Sequence, residues 1–374
     1  MTRENPSYTW VRVIASRHTL EQQVSESPNQ SSPGISRTSI YVAAGRAVGA
    51  REPDPSAKNP DYLAEQLLGD PSQLDLDHPA VRALSLDYEE AMKDVEVVSN
   101  VRMMTVRTRF IDEALERAIA GGATQVVILG AGFDSHAYRY RDLLADVRVF
   151  EVDRPATQAV KKQRVNDVLG GPPLNLTYVA IDFQHEDLPG VLARHGYDPG
   201  QRTFFIWEGV TMYLPEEAVR NTLRFVGTHP PGSGIVFDFV YRAMIDLLAR
   251  IDMATVPPAG RPYLERFLNL IKDEPWVFGL PVDGEREFLR EFGLELREAF
   301  TIGGKDSLER YATKADGTQI GAQAIAQAMA RMAERARAAG PSPSQGPQMA
   351  PERAREQQRL MAYQLAEAVV APRG

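Results

Sequence analysis

The stretch VVILGAGFDS, residues 126–135, joins a short apolar run to a glycine turn. A continuous apolar run bounded by glycines is typical of a β-strand that is buried on both faces. Gly130 and Gly132 carry no Cβ atom, so a ligand can approach the main chain closely there. A helix is expected to begin near Asp134 and Ser135, where its first N–H groups would be free to bind a ligand. The stretch therefore predicts a strand, a ligand-binding turn and a helix in succession.

Four further apolar runs repeat the strand pattern, with helical patterns between them. The runs are VRVFEVD, LTYVAIDF, TFFIW and GIVFDFV, at residues 147–153, 176–183, 203–207 and 234–240. The helical patterns lie at residues 106–120, 156–169, 188–195 and 215–226. Strands that alternate with helices predict βαβ units and a doubly wound α/β fold with a parallel sheet.

After the fifth run the pattern changes. Residues 241–276 are amphipathic and predict a helical insertion that covers a site, and residues 285–292 predict one more crossover helix. LELREAF, residues 294–300, and ERYAT, residues 309–313, are expected to form the last two strands. These segments would complete the sheet.

The composition divides the chain into three expected parts. Residues 1–35 are rich in Ser, Pro, Gln and Asn and predict a flexible leader. Residues 36–317 are expected to hold the α/β domain, with a helical cap from residues 36–100 and 241–284. Residues 318–374 predict a helical tail, in which an Ala-rich helix, a Pro/Ser/Gly linker and a last helix follow one another. Small residues permit tight helix packing, so the C-terminal helices could support a homo-oligomer.

Charge and cysteine content narrow the function classes. The 374 residues include 42 Lys and Arg against 50 Asp and Glu, a net charge of −8, which argues against a broad nucleic-acid surface. There is no cysteine, so disulfides, thiolate zinc sites and cysteine nucleophiles are excluded. No stretch approaches the roughly 20 apolar residues of a membrane-spanning helix, and no secretory signal is expected. We expect a cytoplasmic protein without a nucleic-acid or membrane partner, and the six histidines show no metal-site spacing.

Acidic residues at two strand ends complete a nucleoside site. Glu151 and Asp153 end the second strand, and Asp153 lies 23 residues after Gly130. A carboxylate in that place accepts hydrogen bonds from ribose hydroxyls. Asp182, at the end of the third strand, could reach an adenine amino group. The spacing alone leaves the nucleoside open, although a serine at position 135 breaks the dinucleotide pattern G-x-G-x-x-G.

The end of the fourth strand carries a further carboxylate. Glu208 and Gly209 follow TFFIW at the carboxyl edge of the sheet, where open α/β sheets bind ligands. A carboxylate there could pair with the ammonium group of an amino-acid-like ligand. A helix cap or a solvated loop charge is the alternative for this residue.

Four motifs together resemble the leucine carboxyl methyltransferase family, in particular its bacterial branch from mycobacteria and other actinobacteria. They are VRTRFID, VVILGAGFDSHAYRY, VFEVDRP and FIWEGVTMYL, at residues 106–112, 126–140, 149–155 and 205–214. SRTSIYVAAGRAVGAREPDP, from Ser36, is similar to that branch's N-terminal block, and the resemblance extends to about residue 313. It implies a class I, Rossmann-like methyltransferase fold: a seven-stranded sheet whose last strand is antiparallel, with a helical cap and S-adenosylmethionine (SAM) as cofactor.

The resemblance also implies roles for individual residues. Arg107 would bind the SAM carboxylate, Asp153 the ribose hydroxyls and Glu208 the amino group. The other residues expected around the cofactor are Gly130, Ala131, Gly132, Glu151, Asp182, Phe183 and Gly209. This sequence departs from the branch at His136, where arginine is usual, and at Phe183, where leucine is often found.

Methyl transfer to a carboxylate or hydroxyl of a small, natural-product-like acceptor is the implied reaction. A carboxylate needs no base, whereas a hydroxyl needs a proton acceptor. No catalytic residue is assigned; Tyr213, His136 and His185 are the candidates. Two alternatives stay open: an NAD(P)-dependent oxidoreductase, which leaves Arg107 and the sequence WEG unexplained, and a SAM-binding scaffold without turnover.

Overall fold

A computed structural model describes residues 36–372, except 75, 183–185, 255, 257–259, 273 and 339–358. The predicted leader and the predicted linker lie outside these described residues. Seven strands form one sheet. They are β1 Gln125–Leu129, β2 Arg148–Asp153, β3 Leu176–Ala180, β4 Thr203–Trp207, β5 Gly234–Phe239, β6 Leu294–Thr301 and β7 Gln364–Val370.

The sheet has the order β3-β2-β1-β4-β5-β7-β6. The first five strands are parallel, and β7 runs antiparallel to both β5 and β6. The chain winds outward from β1 to β3, then returns to the other side of β1 with β4. Such a reversal opens a crevice between the carboxyl ends of β1 and β4. The predicted class I fold, with seven strands and the last one antiparallel, is confirmed.

Helices flank the sheet at both faces and extend over its carboxyl edge. The long ones form where apolar residues recur at helical spacing, as the sequence predicts for most of them. They are α1 Arg37–Gly49, α2 Ala64–Leu68, α3 Pro79–Arg82, α4 Tyr88–Ala91, α5 Val95–Ala120, α6 His136–Arg139, α7 Pro155–Leu169, α8 Leu188–Arg194, α9 Glu216–Gly227, α10 Arg242–Arg250, α11 Arg261–Leu270, α12 Glu285–Arg290, α13 Lys305–Tyr311 and α14 Ala322–Ala338.

Two apolar cores lie on opposite faces of the sheet. Alternate residues of β1 divide between them: Val126 and Ile128 belong to one, Val127 and Leu129 to the other. All five β1 residues are buried, which is the reason for the continuous apolar run in the sequence. Among the described helices, none is long and apolar enough to cross a membrane.

The structure corrects two predicted elements near the C-terminus, a helix at residues 364–370 and a strand at residues 309–313. Residues 364–370 were expected in a last helix, but they form β7, which fills the slot between β5 and β6. The segment at residues 309–313 was expected as a strand, but α13 covers most of it. Leu308, Tyr311 and Ala312 recur at helical spacing and pack against the core, and the Tyr311 hydroxyl donates to Glu113 on α5.

The position of β7 gives a testable consequence. Leu365 is fully buried, so Leu365→Ala should lower the free energy of unfolding by about 2–5 kcal/mol. Leu174→Ala is the matched control, because Leu174 is fully exposed, and it should change stability by less than about 0.5 kcal/mol. Urea unfolding followed by circular dichroism measures both. Equal, small effects would mean that the C-terminal strand is not an integral part of the sheet.

Candidate functional site

A cavity of about 870 Å³ opens at the crevice between β1 and β4. The loops after β1, β2 and β4 supply one side of it. The start of α1 and residues 274–277 supply the other, so both predicted cap segments reach the cavity. The predicted site residues that line it are Arg107, Gly130, Ala131, Gly132, Asp153, Asp182, Glu208, Gly209 and Tyr213.

The glycine turn brings bare backbone to the cavity wall. Gly130 has a φ of 66°, and a Cβ atom there would lie 2.4 Å from Val210 Cγ2. The N–H groups of Gly130 and Ala131 donate to the Val152 carbonyl at 2.8 and 3.1 Å, which fixes the turn against β2. The helix expected after the turn is a single turn, His136–Arg139, so the loop itself forms the cavity wall.

Asp153 ends β2 with its carboxylate beside the turn. Its Oδ2 accepts from the Gly132 N–H and its Oδ1 from the Arg154 N–H, both at 2.6 Å. Burial raises the pKa of Asp153, and these two N–H groups act against that shift. A carboxylate has about four acceptor sites, so two remain for a pair of hydroxyl groups. This geometry suits the ribose of a nucleoside.

Glu208 belongs to a buried group of charges. Its Oε1 lies 2.7 Å from Arg107 Nη2 and 3.3 Å from Arg46 Nη1. Arg107 Nη1 also contacts Asp238 Oδ2 at 2.9 Å, and Arg46 Nε contacts Asp61 Oδ2 at 2.9 Å. A ligand carboxylate would therefore share Arg107 with two protein carboxylates.

The group carries more negative than positive charge. Five connected carboxylates, on Asp61, Asp112, Asp134, Glu208 and Asp238, face three guanidinium groups and one imidazole, on Arg46, Arg107, Arg139 and His136. SAM carries a sulfonium, an ammonium and one carboxylate, so its net charge is positive and complements this surplus. A dinucleotide diphosphate would meet like charge instead, which is unfavourable at short range. The residues present fit SAM.

Glu151, two residues before Asp153, does not line the cavity. It is buried 2.8 Å from Lys161 Nζ on α7, and burial raises its pKa to about 7. The structure therefore places Glu151 outside the cavity lining, and a role for it in cofactor binding stays a prediction. Phe183 and His185 lie outside the described residues.

The other two base candidates do not suit the role. His136 does not line the cavity, and both of its ring nitrogens face carboxylates. Burial alone would lower its pKa, but Asp134 and Asp112 outweigh burial and raise the pKa of His136 to about 9. Tyr213 does line the cavity, and burial raises its pKa to about 12, so its phenol keeps its proton at neutral pH.

Sequence reasoning missed Arg46 and Asp238. Asp238 is a lone charge within the apolar run GIVFDFV, and it is fully buried on β5. Its Oδ1 accepts from the Gly209 N–H at 2.7 Å, so it also holds the loop after β4. A charge inside a strand that is buried on both faces needs a buried partner, which is the signal that could have found it. Arg46 stands among small residues of α1 and has a comparable signal.

The fold and the site define a class I SAM-dependent methyltransferase. The family model for leucine carboxyl methyltransferase matches residues 39–227, and the chain belongs to this family. The oxidoreductase alternative is wrong.

Several relatives carry names that assign them to the SAM-dependent methyltransferases. One from Mycolicibacterium vanbaalenii is 32% identical over 291 residues, which cover 70% of this chain and 88% of that protein. One from Bacillus subtilis is 31% identical over a match that covers 54% of this chain and 70% of that protein. One from Frankia alni is 34% identical over 52% of this chain, and the match spans 64% of that protein's length.

Solved structures are similar at low identity. A DUF574 family protein from Streptomyces avermitilis has a TM-score of 0.44 and 17% identity, covering 86% of this chain and 99% of that one. Magnesium protoporphyrin IX methyltransferase from Synechocystis, with bound S-adenosylhomocysteine (SAH), has a TM-score of 0.38 and 12% identity, covering 73% and 87%.

Two acidic residues of β2, Glu151 and Asp153, allow a matched test of the site. Asp153→Asn should weaken SAH binding roughly 10- to 100-fold, because a charged acceptor for hydroxyl groups is lost. Glu151→Gln, on the same strand but paired with Lys161, should leave the affinity unchanged. Calorimetric titration of both variants with SAH measures the difference. An equal loss in the two would show that the integrity of β2, and not the Asp153 contact, controls binding.

Proposed function

We propose that this methyltransferase acts on a carboxylate oxygen of a small, largely apolar acid. SAM supplies an electrophilic methyl group: the new C–O bond forms as the C–S bond breaks, and that electron pair stays on sulfur. The carboxylate and the sulfonium thereby become a neutral ester and a neutral thioether. The protein's own residues would supply position and electrostatics.

The observation that carries the proposal is that four acidic side chains in the cavity lining, where Asp182 is the fifth, have polar partners, which lowers their capacity to take a proton. Asp134 pairs with His136, and Glu208 pairs with two arginines. Asp153 accepts two backbone N–H groups, and Glu274 accepts from the Ser36 hydroxyl at 2.7 Å. A hydroxyl acceptor would need one of them to take its proton, whereas an ionised acid needs no base. These contacts favour the carboxylate.

Tyr213 is placed to orient such an acid. Since its phenol keeps its proton, it can donate a hydrogen bond to a carboxylate oxygen but cannot act as a base at neutral pH. It lies in the lining with Val210 and Leu214. We assign Tyr213 to the acceptor and the charged group around Glu208 to the amino-acid end of the cofactor.

The surroundings of Tyr213 support an apolar acceptor. Tyr213 packs against a buried cluster of core residues that does not line the cavity. In the lining itself, the same chain segments supply Val210, Leu214, Pro275 and Val277, which are apolar. An acid with an alkyl or aryl body would fit this half of the site better than a sugar acid.

The cap has a closing contact at the mouth of the cavity. Ser36, which caps α1, donates its hydroxyl to Glu274, and Arg154 Nη2 lies 3.6 Å from the same carboxylate. These contacts join the start of α1, the loop after β2 and the insertion. Such a cover would keep water from the reacting atoms.

We propose a cytoplasmic location, which the cysteine-free composition supports. We also propose self-association through α14, where the large apolar side chain of Met329 is 67% exposed. Sedimentation velocity of the full chain would decide the second point, and a monomer at all concentrations would contradict it.

If Tyr213 binds the acceptor, its substitution should change kcat/KM for the acceptor without changing the affinity for the cofactor product SAH. Tyr213→Phe should lower kcat/KM for the acceptor about tenfold, the size of one hydrogen bond to a charged group, and leave SAH affinity unchanged. Tyr62→Phe, at an exposed position, is the matched control. SAH release is measured with alkyl and aryl carboxylic acids and with phenols of the same body. Turnover of the phenols alone, rising with pH, would contradict the carboxylate proposal.

A further inference from the structure

The segment after the glycine turn is held in place by three cations. Arg46 Nη2 donates to the Phe133 carbonyl at 2.8 Å, and Arg139 Nε donates to the Ser135 hydroxyl at 2.8 Å. His136 provides the third contact: its ring nitrogen Nδ1 lies 2.6 Å from Asp134 Oδ2. Because α6 is only one turn long, helix formation contributes little to the position of this loop. The cations hold it instead.

His136 grips Asp134 at both carboxylate oxygens. Asp134 Oδ1 accepts from the His136 backbone N–H at 2.8 Å, and Oδ2 lies 2.6 Å from ring Nδ1. The other ring nitrogen, Nε2, lies 2.9 Å from Oδ1 of Asp112 on α5. All three residues are buried, and Asp134 also lines the cavity. A protonated ring donates from Nδ1 to Asp134 and places its positive charge in ion-pair contact with Asp112.

The contacts continue from His136 to the centre of the site. Asp112 pairs with Arg139 at 2.8 Å, and Arg139 Nε lies 3.7 Å from Asp61. Asp61 pairs with Arg46, which reaches Glu208. A change of charge at His136 therefore acts on the cavity both through Asp134 and through this chain of ion pairs.

We propose that His136 is a positioning residue whose charged ring, held between Asp134 and Asp112, fixes the cofactor-binding loop, so that cofactor affinity depends on the charge of that ring. The proposal rests on SAM binding and is independent of the acceptor. His136 touches neither cofactor nor acceptor in this scheme; it acts through Asp134 and Asp112.

The direction of the pH effect follows from the surroundings of the ring. The titratable and charged groups near the ring or near its partner Asp134 come from five elements. They are Asp112 on α5, Arg139 and Tyr140 after the ring, Glu151 on β2, Lys161 on α7 and Arg46 on α1. Burial alone would lower the pKa of His136, and the two carboxylates outweigh it and raise the pKa to about 9. The His136 ring is thus fully protonated, and its ion pairs with Asp134 and Asp112 are complete, below pH 6.5. The ring loses this charge as the pH rises through about 9. Arg46 and Arg139 stay charged throughout this range.

SAH titration calorimetry between pH 7 and pH 10 tests the proposal in four proteins. They are the wild type, His136→Gln, His136→Arg and His195→Gln, the last being a matched control at an exposed histidine outside the cavity. At pH 7.5 His136→Gln should bind SAH about tenfold more weakly than the wild type, since one charge-assisted contact is lost. His136→Arg, which keeps the charge, should retain the affinity.

The decisive quantity is the ratio of wild-type to His136→Gln affinity, because the amino group of SAH titrates identically in both. We expect this ratio to fall from about tenfold at pH 7.5 towards one at pH 10, again the size of that single contact. The ratio of wild type to His195→Gln should stay at one. With His136→Arg, affinity relative to the wild type should rise over the same range.

Each contrary result has a distinct meaning. A ratio of one at pH 7.5, or a tenfold ratio that does not change with pH, would overturn the proposal. A lower melting temperature of His136→Gln with unchanged SAH affinity would show a purely structural role. If the wild type itself bound no SAH at any pH, the cofactor assignment would fail, and the proposal with it.

Discussion

The burial of Arg107 is the constraint on which the site depends. Its side chain is 2% exposed, and a buried guanidinium without partners is strongly unfavourable. Its partners, Glu208 and Asp238, come from the loop after β4 and from β5, while Arg107 comes from α5. The ion pairs form only when these three elements are in register. The same contacts that neutralise the cation therefore fix the carboxyl edge of the sheet where the cavity opens.

This constraint also selects the ligand. A group that is fully neutralised internally would attract no charged ligand, but here five carboxylates exceed the three guanidinium groups and one imidazole of the network by at least one negative charge. The surplus favours a cation at the point where the glycine turn exposes backbone. Gly130 and Gly132 alone are compatible with a nicotinamide dinucleotide, so the cofactors are separated by Ser135, which breaks the dinucleotide pattern, and by the surplus charge.

Local patterns predicted the first five strands and most of the cofactor site, because parallel strands all end at one edge and their terminal residues must meet there. Local patterns could not tell that Asp153 lines the cavity and Glu151 does not, because both lie on one face of β2. The difference arises from Lys161 of α7, which forms an ion pair with Glu151 only. Local patterns also failed at β7, where MAYQLAEAVV has helical propensity. Its position between β5 and β6 overrides that propensity, and β6 ends more than sixty residues earlier.

The two halves of the cavity differ in how far sequence can specify them. The cofactor half is made of charges at strand ends, and each charge must find a partner, so its residue types and spacing restrict the ligand closely. The proposed acceptor half is lined by apolar side chains such as Val210, Leu214 and Val277, which accept any body of suitable shape. Tyr213 is the polar residue of that half with a defined protonation state. A single donor in an apolar surface can fix the orientation of an acid while leaving its body free to vary, which explains why the cofactor follows from the chain more directly than the acceptor.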